Sequence, residues 1–106
     1  MSTIVVYVTV SSLREGRKLT DVLIQERLAA CVSMVPSVHS TYWWKGKVER
    51  AREVLLVIKT RSEKFSRLAR RIQAIHSYSV PEILALPVVR GNQAYLQWLR
   101  QSVKTR

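Results

Sequence analysis

The sequence predicts a single α+β domain, residues 1–106, with helices packed on one face of a four-stranded sheet. Three observations lead there. Strand-like runs and helix-like periodicities follow one another in the order β-α-β-β-α-β-α, with a tight-turn signal between the two strands adjacent in sequence. A length of 106 residues is that of one ordinary domain. A hydrophobic share of 47% with three glycines and three prolines suits a packed core and excludes collagen-like and disordered chains.

Ile4 to Val8 are β-branched or aromatic without a break, which predicts a strand buried on both faces. Ser12 and Glu15 have capping-box spacing, and Leu13, Leu19, Val22, Leu23 and Leu28 recur at helical spacing, predicting a helix over about 13–29. From Cys31 to Trp44 the chain is rich in Val, Ser, Thr and aromatics, so it reads as a long strand bent at Pro36, which has no N–H for the ladder. Lys45-Gly46 is the turn, and Val54 to Ile58 return as the third strand. Thr60 and Glu63 form a second capping-box pattern ahead of Phe65, Leu68, Ala69, Ile72 and Ile75, the clearest amphipathic stripe in the chain. Ile83 to Leu86, bracketed by Pro81 and Pro87, make a fourth strand, and Gly91-Asn92 cap a last helix carrying Tyr95, Leu96 and Leu99. Six of these elements in this order are the pattern of a ferredoxin-like βαββαβ sandwich, here with an additional C-terminal helix.

That architecture covers one face of the sheet, yet the runs at 4–8, 54–58 and 83–86 place apolar side chains on both. Adjacent Trp43 and Trp44 on a strand point to opposite faces, and one subunit cannot bury both. Self-association is the expected answer, with Tyr42, Trp43 and Trp44 at the subunit interface.

No unbroken apolar run exceeds five residues, against roughly 20 for a membrane span. The N-terminal residues lack a secretory pattern and the one cysteine, Cys31, cannot form an intrachain disulfide, so a cytoplasmic location is expected. Eighteen basic residues against seven acidic leave a formal +11, which favours non-specific attraction to polyanions at low salt. Sequence-specific nucleic-acid binding is not expected, because the third strand, Lys47 to Thr60, holds no aromatic on which a base would stack. Catalysis is not expected either. The glycines are isolated, and no serine stands in a recognisable relation to Asp21 and the two histidines.

Five runs, ERLAACV (26–32), YWWKG (42–46), EVLLVIKT (53–60), VPEI with LPV (80–83, 86–88) and GNQAYLQW (91–98), resemble CutA, the divalent-cation tolerance protein family, in order and over nearly the whole chain. The resemblance implies a ferredoxin-like subunit in a tight homotrimer, cytoplasmic in bacteria, with copper and other divalent ions as ligands. Such a metal ion, Cu(II) foremost, would not be needed for folding. The chain departs from the family in places. Ser77, between His76 and Tyr78, stands in place of the proline of the family's common His-Pro-Tyr, and Val8 and Ile75 stand where some members carry a cysteine and a histidine.

Among the residues present, Cys31 and His76 are the thiolate and imidazole a copper ion would favour, with His39 a further imidazole and Glu82 an oxygen donor. None are at local chelating spacing. His76 at a helix end also fits a carbonyl cap, and Cys31 also fits a small buried hydrophobe. Lys59, Tyr78 and Glu82 suggest a different site, a cleft at a subunit boundary for a small anionic ligand, as in the similarly built PII signalling trimers. Lys59 and Glu82 could equally form an ion pair that holds the trimer.

Overall fold

A computed structural model describes residues 2–104. The elements are β1 (Thr3–Val10), α1 (Leu13–Gln25), β2 (Cys31–Trp44), β3 (Lys47–Arg61), α2 (Phe65–Ile75), β4 (Ile83–Pro87) and α3 (Gln93–Ser102). They stand in the predicted order. The sheet runs β2-β3-β1-β4 with every neighbouring pair antiparallel, so each of α1 and α2 carries the chain over one intervening strand.

Period-2 alternation decides which side chains meet the helices. Ile4, Val6, Val8 and Val10 of β1 and Val54, Leu56 and Ile58 of β3 form one cluster with Leu19 and Leu23 of α1 and Leu68 and Ile72 of α2. The intervening residues face the other way. In register across that outer face stand Leu84, Tyr7 and Val57, and beside them Leu86, Val5 and Lys59. α3 packs against β3, burying Leu99 and Val103, and leaves Tyr7, Val35, Leu84 and Leu86 exposed at 37%, 39%, 58% and 43%.

β3 runs back from its apolar run to Lys47, the start expected for the third strand: Lys47 to Glu53 pair with β2 through the backbone although Lys47, Glu49, Arg50 and Arg52 bring no apolar surface. Hydrophobic runs report burial, and this part of the hairpin protrudes. Two local expectations are corrected. α1 stops at Gln25 rather than near 29. Arg27 takes φ 59°, donating its N–H to Ile24 while the Leu28 N–H reaches Leu23, and Leu28 folds back onto the core. This is a Schellman ending without its usual glycine, so nothing in the sequence marks it. Thr60 caps no helix. It lies inside β3, fully buried, and its Oγ1 donates to the Leu28 carbonyl at 2.7 Å, while Glu63 pairs with Arg61 instead.

Other local signals are found in place. Ser12 Oγ accepts from the Glu15 N–H, and Asn92 Oδ1 from that of Tyr95. The β2–β3 register slips between Val35 and Val38, around Pro36. Lys45 and Gly46 turn the hairpin with φ of 51° and 78°, the two positive values of a type I′ turn.

Candidate functional site

The end of β1 gathers the first group of site residues. α2 closes when the His76 N–H bonds the Ile72 carbonyl, after which ψ of 144° swings the chain out toward the sheet. The His76 side chain is fully buried and engaged at both nitrogens: Nε2 lies 2.8 Å from the Thr9 carbonyl, and Nδ1 accepts the Tyr78 N–H at 3.0 Å. These partners assign the proton to Nε2. The imidazole does bond a carbonyl, as a cap would, but one in β1 rather than in its own helix. As a metal ligand it would have to give up one of these bonds.

Glu15 underpins the same loop. Its carboxylate accepts from the N–H and Oγ of Ser77 at 2.8 and 3.0 Å and from the N–H and Oγ of Ser11 at 3.1 and 2.8 Å. Burial alone would push this carboxyl up, but the hydrogen bonds outweigh it and hold the pKa down at about 2. Ser77 thus supplies a backbone donor that a proline could not.

Tyr78 stacks at a tilt on His76, centroids 4.7 Å apart, and its hydroxyl donates to Glu53 Oε2 at 2.7 Å. Burial, and then the bond and charge of Glu53, push the phenol far above its ordinary range. Glu53 is 7% exposed, and sequence reading missed it; the one signal was a lone carboxylate opening the apolar run of β3. Glu82 is near enough to feel it: partial burial first and the Glu53 charge second raise the Glu82 carboxyl.

Lys59 and Cys31 belong elsewhere. They sit opposite each other in the β2–β3 register, and Lys59 Nζ reaches Ser33 Oγ at 3.0 Å and Cys31 Sγ at 3.7 Å. Lys59 pairs with Val5 across β1, whereas His76 bonds Thr9, four residues further along that strand and therefore about 13 Å away. One subunit accordingly separates Cys31 from His76 and Lys59 from Tyr78 and Glu82, and the Lys59–Glu82 ion pair does not form within it. Among the described residues no three His, Cys, Asp or Glu side chains converge as a metal site. Val8 is a fully buried core residue, and Ile75 packs against the core.

The hairpin carries the aromatic triplet outward. Tyr42, Trp43 and Trp44 are 43%, 74% and 44% exposed, opposite Glu49, Val48 and Lys47. Lys45 Nζ stands 5.8 Å from the Trp44 ring.

Fold and geometry together define an α+β chain with an exposed apolar sheet face and two separate groups of candidate site residues, one around His76, Tyr78 and Glu53 and one around Lys59 and Cys31. A family profile described as CutA1 divalent ion tolerance protein matches residues 4–102. The chain is 47% identical over 98 residues to the divalent-cation tolerance protein CutA of Thermus thermophilus, spanning 92% of this chain and 95% of that one. It is 48% identical over 101 residues to the chloroplastic CutA 1 of Oryza sativa, covering 95% of this chain but 57% of the rice protein. This chain thus spans little more than half the length of such plant relatives. Among solved structures, CutA1 from Oryza sativa superposes with a TM-score of 0.95 at 46% identity, covering 100% and 97% of the two chains. The periplasmic divalent cation tolerance protein CutA from Archaeoglobus fulgidus gives 0.93 at 38%, covering 96% and 99%. The chain belongs to the CutA1 divalent ion tolerance family.

Proposed function

We propose that the chain is a non-enzymatic, cytoplasmic homotrimer of ferredoxin-like subunits that serves divalent-cation tolerance by binding Cu(II) and other divalent ions. The strand order β2-β3-β1-β4 supports the ferredoxin-like reading, and the names of the relatives support the cation. The observation that carries the assembly is the outer sheet face, where Tyr7, Val35, Leu84 and Leu86 remain exposed alongside the tryptophan hairpin. Association covers that face. Because Cys31 and Glu82 lie with the two separate groups of site residues, a shared metal would draw them from neighbouring subunits, with His76 supporting the loop that carries Tyr78.

Light scattering on a sizing column tests the assembly, the expected species being three times the subunit mass; a monomer at micromolar concentration ends the proposal. Copper calorimetry on Cys31→Ala, Glu82→Gln and His76→Ala tests the site. Loss in the first two, with His76→Ala close to wild type, is expected, and protein stripped of metal by a chelator keeps its fold and its cooperative melting transition, lower only by the stabilisation the bound ion had added.

Lys59 favours a second reading. On the outer face its ammonium hydrogen-bonds Ser33 and Cys31 and, among the described residues, has no carboxylate partner, so that end of the face attracts an anion and repels a cation. A small anionic ligand held between Lys59 of one subunit and Tyr78 and Glu82 of the next would make the trimer PII-like. Thermal shift with small dianions separates the readings, since Lys59→Gln abolishes anion stabilisation but does not weaken copper binding, which gains from losing a neighbouring positive charge.

A further inference from the structure

The helix layer carries a basic site that the assembly reading does not use. Between the end of α1 and the exposed side of α2 lies an open depression of about 280 Å³, lined by Glu26, Leu28, Arg67, Arg70, Arg71 and Ala74. Leu28 is buried and belongs to the core, so the floor is rigid. Arg71 is held in place by Glu26: its Nε lies 3.0 and 3.1 Å from the two carboxylate oxygens, and a terminal nitrogen 3.0 Å from one of them. That pair neutralises one of three arginines. Arg67 and Arg70 are exposed and, among the described residues, have no carboxylate partner. They stand at i and i+3 on one helix, roughly 4.5 Å apart along its axis, where like charges repel.

We propose that this depression binds a small anion carrying two or more phosphoryl groups. The site holds an excess of two positive charges, and two guanidinium forks one turn apart can each take a phosphoryl oxygen pair. Lys64, just upstream and buried, has its pKa lowered by burial first and then by the charges of Arg67 and Arg61, partly offset by Glu63, so Arg67 adds to the positive charge along this side of α2. Leu28 and Ala74 supply no flat aromatic surface for a base, which favours a compact anion over single-stranded nucleic acid. The depression also lies on the helix side of the sheet, so covering the outer face leaves it open to solvent.

Inorganic pyrophosphate and tripolyphosphate, titrated calorimetrically into the intact protein at low salt, test the site. One anion per subunit is expected, with orthophosphate weaker. The double variant Arg67→Gln/Arg70→Gln loses about tenfold or more in affinity, the equivalent of one charge-assisted contact. Arg14→Gln/Arg17→Gln, which removes the same charge from the exposed side of α1, changes affinity by less than about twofold. Arg70→Lys keeps charge and helix but loses the fork, and binds more weakly than wild type. Equal losses in the two double variants overturn the site in favour of a diffuse field. So does an undiminished Arg70→Lys, or an oligoribonucleotide that binds this surface while pyrophosphate does not.

Discussion

Glu15 is the residue on which most of the loop after α2 depends. Its folded pKa of about 2 lies below the ordinary 4.5, so ionised Glu15 stabilises the native state at neutral pH. That contribution is complete above pH 4.5 and is lost as pH falls toward 2. Urea unfolding at fixed protein concentration should show Glu15→Gln less stable than wild type by on the order of 2 kcal/mol at pH 7, a gap that closes by pH 2. A gap independent of pH would mean that the hydrogen bonds do not discriminate the ionised form. Thr60 makes a similar point for a neutral group. Thr60→Val strips a buried donor from the Leu28 carbonyl and should cost about 1–2 kcal/mol of unfolding free energy in urea denaturation, with α2 helicity retained. Loss of helicity instead would restore the capping role that the Thr60–Glu63 spacing suggests. Serine and threonine spacing alone cannot tell a cap from a strand hydroxyl, because both present the same short side chain and differ only in what backbone stands opposite.

Element types were legible wherever burial imposes a period. β1, α2 and β4 are placed by their apolar spacing, and α1 by its Ser12 cap; the outer half of β3, residues 47–52, is largely exposed and carries no such period, so only the turn at Lys45-Gly46 marks where it starts. What holds that ribbon is backbone pairing and its turn. Lys45 occupies a left-handed position that costs a residue with a side chain about 1 kcal/mol, less for Asn. Lys45→Asn should therefore raise the thermal midpoint, corresponding to roughly 0.5–1 kcal/mol, read by differential scanning at constant protein concentration. No change would indicate that the hairpin is held by contacts between subunits rather than by its own turn. Arg27 shows the limit from the other side, since a helix that ends on a left-handed arginine leaves no glycine to read.

At the scale of the whole molecule, the exposed apolar outer sheet face is what the proposed assembly has to cover. Leu84→Lys places a charge amid Tyr7 and Val57 without touching the core, and should shift the assembly toward smaller species on light scattering while the far-ultraviolet spectrum is retained. An unchanged mass would move the interface to the hairpin. The sequence by itself determined the order of elements, the residues of the core, the doubly apolar strands and the family, because each of these is written in local periodicity or in contiguous runs. It also named Cys31, Lys59, His76, Tyr78 and Glu82. Only the tertiary structure decided who meets whom: His76 turned inward to Thr9 with both nitrogens engaged, Glu53 slid beneath Tyr78, Lys59 settled on Ser33 and Cys31, and Arg67 and Arg70 came to stand beside an ion pair reaching back to Glu26. Those partnerships depend on strand register and on the angle at which each helix leaves the sheet. Both arise from packing between segments far apart in the chain, which no spacing within one segment encodes.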